Sequence, residues 1–329
     1  MDNILVSIII PTHNKGLYIK DAIDSALNQT WENIEIIIVD DSSTDRTIEI
    51  LNSIQNKRVK VYHKSFRNAS ASRNFGLANA NGSFIQFLDA DDILDPDKIK
   101  CQLRDMDFQE NVLGVCNTQI FYQDIHESYP ELDKAFLSFS TDPKLFIINL
   151  YKAVDSGMVQ PNAWLTPIHV IKKAGVWNET LSLDDDGEFF CRVILESHVI
   201  VHTDKVLNYY RKFHLQKNNL SASNSEKSFQ SSYESAVLKM LHLKKKIILP
   251  DTILQPVFNA LFVNVMVSAY PKYKHISKAA EMIIDDKYPI VLPKIGGSIV
   301  ESLKFLIGWK NTKKFKNFLQ NKSVNHLRF

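Results

Sequence analysis

Apolar positions in the first third of the chain switch between short continuous runs and helical spacing. Ile4 to Ile10 is a near-continuous, β-branched run, the pattern of a strand buried on both faces of a parallel sheet. Pro11-Thr12-His13-Asn14 ends it, Asn14 suits a helix N-cap, and Ile19, Ala22, Ile23, Ala26 and Leu27 then recur at helical spacing. Ile34 to Val39 predicts a second buried strand that closes on Asp40-Asp41. Ser42 to Asp45 supplies capping groups for a helix with Ile48, Leu51 and Ile54 on its apolar face. Val59 to Tyr62 reads as a short strand, and a helix carrying Arg73, Phe75, Leu77 and Ala78 leads to the turn Asn81-Gly82. The run Phe84, Ile85, Phe87, Leu88 then opens onto Asp89-Ala90-Asp91-Asp92. Strand and helix alternating at this pitch predict βαβ units and a doubly wound, mostly parallel α/β sheet. Both acidic clusters then fall at the carboxyl edge of the strands, where such sheets bind ligands.

The second half is less regular. Ile99, Leu103 and Met106 predict a helix, Val112 to Thr118 a strand, and Leu145 to Tyr151 a helix inside an otherwise mixed stretch, 123–155. Trp164 to Pro167 reads as a strand end, with Thr166 as cap and Pro167 in the first turn of a helix stopping at Gly175. Asp184-Asp185-Asp186-Gly187-Glu188 opens another helix, and Val199 to His202 and Val206 to Tyr210 read as strands. We expect an α/β domain over residues 1–215, a polar Ser/Asn-rich linker over 216–232 and a helical region over 233–329. Val257 to Tyr270, broken by Asn259 and Asn264, reads as a core helix. Near the end, Lys304, Lys310, Lys313, Lys314, Lys316, Lys322 and Arg328 face only Glu301 and are interleaved with Phe305, Leu306, Ile307, Trp309, Phe315, Phe318 and Leu319. Two readings fit that pattern: an amphipathic helix in peripheral contact with anionic lipid, or the solvated face of a packing helix.

Composition narrows the classes. Of 329 residues, 45% are apolar and 23% charged, the balance of a globular protein with material for a sizeable core. Lys plus Arg at 39 against Asp plus Glu at 37 argues against a nucleic-acid partner. Three scattered cysteines, Cys101, Cys116 and Cys191, suit a reducing compartment and no zinc site. Met1-Asp2-Asn3 leads straight into a strand-like run without the basic start and apolar core of a signal peptide, so a cytoplasmic location is expected. Gly-x-Gly-x-x-Gly and Walker-type GK[ST] patterns are missing, which lowers dehydrogenase and P-loop readings.

The chemistry lies in the acidic clusters. Three carboxylates within four residues, Asp89, Asp91 and Asp92, repel one another unless a cation or a set of donors offsets them; a divalent metal carrying a phosphorylated ligand would do so. Four stretches, Val6 to Asn14, Ile36 to Asp45, Ala71 to Ala78 and Phe87 to Asp92, resemble the family-2 glycosyltransferases of GT-A fold. Ala174 to Glu179 and Asp185 to Arg192 resemble that family's acceptor-side segment, so the match spans roughly residues 4–212 in the right order.

The resemblance implies a GT-A, Rossmann-like sheet and an inverting hexosyltransferase. It would use a nucleotide-sugar donor, a UDP-sugar being favoured, with Mn2+ or Mg2+. The acceptor would be a glycan or lipid-linked hydroxyl in cell-surface polysaccharide synthesis, met in the cytoplasm or at the inner face of the membrane. By similarity to the family, Pro11, Thr12, Asp41, Arg73, Asp89 and Asp91 hold the nucleotide-sugar; Asp92 with Asp91 and His214 hold the metal, Asp92 being the expected principal ligand. Asp40, next to Asp41, has two readings, a member of the site or a cap of the following helix. Asp186 occupies the family's base position, and crowding by Asp184 and Asp185 would raise its pKa, which suits a base. Tyr210-Arg211-Lys212-Phe213-His214 resembles a family segment in which a histidine follows a Tyr-Arg pair, here with one extra residue before His214. The alternative from another class is a non-catalytic nucleotide-sugar-binding scaffold, which would have no need of Asp186.

Overall fold

A computed structural model describes residues 4–130, 137, 140–152, 159–213 and 225–326 of the protein, with side chains as far as 319. The chain opens with β1 (Val6–Thr12), α1 (Ile19–Leu27), β2 (Ile34–Asp41), α2 (Thr47–Asn52), β3 (Val59–Lys64), α3 (Ala69–Ala78) and β4 (Phe84–Phe87). It continues through β5 (Ile93–Leu94), α4 (Lys98–Asp105), β6 (Val112–Phe121), β7 (Tyr129–Pro130), α5 (Pro143–Lys152), β8 (Trp164–Pro167), α6 (Ile168–Ala174), α7 (Asp185–Glu196) and β9 (Val199–Arg211). Five helices follow: α8 (Glu226–Lys246), α9 (Asp251–Ala269), α10 (Lys274–Glu281), α11 (Ser298–Ile307) and α12 (Trp309–His326).

The strands lie in the order β3-β2-β1-β4-β8-β6-β9-β5, with β7 paired to β6. β1 runs parallel to β2 and β4, and β2 parallel to β3, as the βαβ reading requires. β8 is antiparallel to both β4 and β6 and so joins the parallel half to the pair β6 and β9. Period-two alternation sorts the apolar residues onto two faces. Ile9, Ile85 and Phe87 pack with Trp177, Phe189 and Phe190 on one side; Ile8, Ile10 and Leu88 pack with Ile19, Ile23 and Leu103 on the other. Gly76 lets α3 lie close on β1, where a Cβ would collide with the Ile9 side chain.

Several boundaries differ from expectation, each for a local reason. Asn14 does not cap α1: it sits at φ 51 and its Oδ1 accepts from the Thr44 N–H, tying the loop after β1 to the loop after β2. Pro167 precedes α6 rather than opening it, and Gly175 at φ 84 ends that helix as expected. The two strands expected over 199–210 are one, β9, with three extra residues where Cys116 and Asn117 face Thr203 and Leu207. Of the expected linker, residues 216–224 lie outside the described residues, and the rest is helical: Ser225 caps α8 by accepting the Ser228 N–H and the helix starts at Glu226. α9 is long and apolar enough to cross a membrane by length and composition. Its Val257, Phe258, Phe262 and Val263 are nonetheless buried against neighbouring helices, as a core helix requires.

Candidate active site

Register brings the first predicted residues together. At the carboxyl ends of β1 and β2, Thr12 lies opposite Asp40. The Thr12 Oγ1 and one Asp40 oxygen are buried with no hydrogen-bond partner among the described residues; the other Asp40 oxygen meets His63 Nδ1 at 3.1 Å. Asp40 therefore caps no helix. Asp41 instead fixes the entry to α3, its carboxylate accepting the N–H groups of Phe66, Arg67 and Asn68 at 2.6, 2.8 and 2.8 Å, while Asn68 caps that helix by accepting the Ala71 N–H. Pro11 is half-buried beside them, at the end of the same strand.

The turn after β4 spreads its three carboxylates in three directions. Asp89 accepts from Arg73 Nη2 at 2.9 Å. Asp91 accepts from Lys15 Nζ at 2.6 Å, with 14% of its side chain exposed. Asp92 is only 1% exposed, and its two oxygens accept the Arg211 N–H at 2.9 Å and Asn162 Nδ2 at 3.0 Å. Burial, then the charges of Asp91 and Asp89, push the Asp92 carboxyl well above the usual range. This corrects the expected ranking. Asp92 anchors the turn to β9 and the segment before β8, while Asp89 and Asp91, with 32% and 14% of their side chains exposed, are the carboxylates open to solvent.

Among the described residues, no three acidic, histidine or cysteine side chains converge to hold an ion by themselves. Magnesium or manganese at a diphosphate needs fewer, one or two carboxylates with phosphate and water completing the shell. Asp91, partly exposed and held by one lysine, fits that demand, with the more exposed Asp89 beside it. His214 lies outside the described residues. The preceding Phe213 packs against Tyr18, the two rings tilted at 56°, and receives Lys15 over its ring at 5.5 Å.

Arg73 ties the turn to the downstream acidic segment. Its Nη2 reaches Asp89, its Nη1 reaches Asp185 Oδ2 at 3.2 Å, and its guanidinium lies 4.5 Å from the Trp177 ring centroid. Burial alone would lower its pKa, but Asp89 and Asp185 outweigh that and raise it, so the charge is retained. Asp185 also accepts from Ser70 Oγ at 2.8 Å. Beside it, Asp186 is half-buried at the start of α7 and accepts the Gly187 N–H at 2.9 Å. Burial first, then the charges of Asp185 and Asp184, push its carboxyl up to about 7, with Arg73 opposing the rise. A carboxylate with this pKa is a competent proton acceptor near neutrality.

Helix α8 grips that segment, a role the sequence did not suggest. Ser231, Ser235, Lys239 and His242 recur at three- and four-residue spacing on one face. Ser231 Oγ donates to the Leu183 carbonyl and accepts the N–H groups of Ser182 and Leu183. Ser235 Oγ and Lys239 Nζ meet Asp184 Oδ2 at 2.8 and 2.5 Å, holding a residue whose φ is 62. His242 and Arg192 engage Glu188; burial pushes its carboxyl up, but these partners outweigh it and hold it below the usual value. Glu188 is thus a buried ion-pair member. Arg211 was also missed as a positioning group: its N–H serves Asp92, its Nε donates to the Asp91 carbonyl at 2.9 Å, and its Nη2 pairs with Asp21 at 2.8 Å.

Comparison with known proteins bears on this arrangement. Residues 7–165 match the family model described as glycosyl transferase family 2. A glycosyltransferase of Haemophilus influenzae is 46% identical over 105 residues, 31% of this chain and 42% of that protein. The chain spans 42% and 60% of the first two curated relatives it matches, so it aligns with only part of each. Among solved structures, TarS of S. aureus superposes with a TM-score of 0.62 at 16% identity, covering 95% of this chain and 91% of that one; a second structure of it holds UDP-GlcNAc. The mannosyltransferase PcManGT from Pyrobaculum calidifontis, in complex with GDP-Man and Mn2+, gives 0.53 at 13% identity, covering 98% and 87%. At such identities the likeness is one of fold, that of GT-A glycosyltransferases.

Proposed function

We propose that this chain, whose residues 7–165 match the family model described as glycosyl transferase family 2, moves a sugar, with inversion, from a nucleoside diphospho-sugar to a hydroxyl of a glycan or lipid-linked acceptor in cell-surface polysaccharide synthesis. The observation that carries the reading is the Arg73 bridge, which joins Asp89 of the β4 turn to Asp185, the neighbour of the raised-pKa Asp186. A donor-binding turn tied to a segment that carries a proton acceptor is what a displacement at an anomeric carbon needs.

The nucleotide would lie across the ends of β1 and β2, where Thr12 and Asp40 have buried oxygens to offer. Asp91 would hold Mn2+ or Mg2+ together with the diphosphate, and the bound cation would supply charge neutralisation for the leaving group. Lys15, released from Asp91, would turn its ammonium to a diphosphate oxygen. Asp186 takes the proton of the acceptor hydroxyl as that oxygen bonds to the anomeric carbon. The bond from carbon to diphosphate breaks on the opposite face, and the nucleoside diphosphate leaves with the electron pair. Arg73 keeps Asp185 and Asp89 in place through this change and limits the rise in the Asp186 pKa. A UDP-sugar is the first donor to try, since the similarly folded TarS has been seen with UDP-GlcNAc. Release of nucleoside diphosphate from a panel of UDP-, GDP- and dTDP-sugars with Mn2+ tests the reading: donor-specific release supports it, whereas nucleotide binding without turnover on any donor or acceptor points to a scaffold.

A further inference from the structure

Helices α11 and α12 carry large apolar side chains that the rest of the protein does not cover. On α11, Ile299, Phe305 and Leu306 are 86, 92 and 75% exposed, and on α12 Phe315, Phe318 and Leu319 are about half exposed. The inner positions Val300, Leu303 and Lys304 of α11 and Thr312 and Lys313 of α12 are the less exposed ones, so each helix packs on one face and turns an apolar stripe outward. Single exposed leucines are ordinary; fully exposed phenylalanine, leucine and isoleucine within two consecutive helices are not.

The charges around these stripes indicate what covers them. Over residues 298–319 there are five lysines, Lys304, Lys310, Lys313, Lys314 and Lys316, against the single acid Glu301. Lysine is depleted from interfaces between proteins, and a patch flanked by cations of one sign repels a second copy of itself. An apolar stripe edged by lysines suits anionic lipid, because the aromatic and aliphatic groups enter the acyl boundary while the ammonium groups reach the headgroups. Four of the five lysines are engaged within the protein: Lys304 pairs with Glu301, Lys310 pairs with Glu281 at 2.8 Å, Lys313 donates to the Val267 and Ser268 carbonyls, and Lys316 donates to the Ile295 carbonyl at 2.5 Å. Two acids, Glu301 and Glu281, thus offset the five lysines, so the hairpin keeps a positive balance, with Lys314 exposed beside Phe315.

We propose that the α11–α12 hairpin is a docking face for anionic lipid bilayers, seating the protein peripherally at a membrane. This surface argument does not depend on the transfer reaction, so it can fail or succeed independently of it. The test is sedimentation of the full chain with vesicles of phosphatidylcholine alone or with about 30 mol% phosphatidylglycerol, at low and high salt. Binding is expected on the anionic vesicles, weakened by salt, and reduced at least about tenfold by the double substitution Phe305→Ser, Leu306→Ser. Both side chains are exposed, so the variant should keep its melting temperature; Lys314→Glu is the second variant and should weaken anionic binding alone. Equal binding to neutral vesicles, or no binding, overturns the proposal. So does a dimer that light scattering detects and the double substitution dissolves while vesicle binding stays unchanged, which would make the face a contact between copies of this chain.

Discussion

Arg73 and Asp185, 112 positions apart in sequence, meet at 3.2 Å, and the other arm of the same guanidinium holds Asp89. One buried cation therefore joins the turn after β4 to the start of α7. A lysine cannot reproduce two arms and a guanidinium 4.5 Å from the Trp177 ring centroid. Arg73→Lys should lower turnover about 100-fold or more, and because Arg73 lowers the Asp186 pKa, removing its reach should move the rate profile to higher pH. Initial rates across pH check both effects; an unchanged profile contradicts the coupling.

The sign of the pH dependence follows from Asp186. Its carboxyl is raised to about 7, and the deprotonated form is the base, so the rate should rise with pH and level off above about 7. Stability should run the other way. A raised folded-state pKa means the folded protein binds more protons than the unfolded chain between the two values, so this group's contribution to stability falls as pH climbs from about 4 to about 7. Asp186→Asn should melt at or above the wild-type temperature at pH 8, as differential scanning calorimetry would show.

Asp91 and Asp92, adjacent in sequence, should separate cleanly. Asp91→Asn should abolish Mn2+ binding in the presence of nucleoside diphosphate while leaving the fold intact, because its carboxylate pairs with the flexible Lys15 side chain rather than with buried donors. Asp92→Asn should instead cost about 1–3 kcal/mol of stability, since an amide replacing that buried carboxylate cannot accept from both the Arg211 N–H and Asn162. Electron paramagnetic resonance titration and urea unfolding distinguish the two; equal loss of Mn2+ binding without loss of stability in Asp92→Asn would restore Asp92 as the ligand.

Lys15→Met removes the ammonium that now faces Asp91. Mn2+ binding without nucleotide should tighten about five- to tenfold, the scale of a partly exposed ion pair. Binding of the nucleoside diphosphate with Mn2+ should weaken in the same variant. Calorimetric titration of each ligand checks the pair of effects, and a variant unchanged in both shows that Lys15 has no part in the site.

The central sheet was legible because strands buried on both faces leave unbroken apolar runs: Ile4 to Ile10, Ile34 to Val39 and Phe84 to Leu88 each became a strand with its acidic or polar end at the expected edge. Long-range partners were not legible. Nothing local marks Asp92 as buried or Asp91 as partly exposed, since that follows from Arg211 and Asn162 arriving from β9 and the segment before β8. Likewise Lys98 reads as an ordinary first-turn lysine, yet it is fully buried, bonded to Gln86 and Gln102, with burial lowering its pKa to about 8. The polar stretch before Tyr233 looked like a linker because serines dominate it, but in α8 Ser231 and Ser235 are the residues that hold the segment 182–184. Helix α8 thus packs on the segment that carries Asp184 to Asp186, and Lys239→Met should destabilise the protein by about 1–3 kcal/mol by leaving Asp184 without its cation.

The most direct test of the account is the rate of nucleoside diphosphate release from the preferred donor, with acceptor and Mn2+, for wild type and Asp186→Asn at equal donor binding. The account predicts a wild-type rate that rises through pH about 7 and a variant slower by about 100-fold or more with that rise abolished. A variant that keeps the wild-type rate and the wild-type pH profile contradicts it.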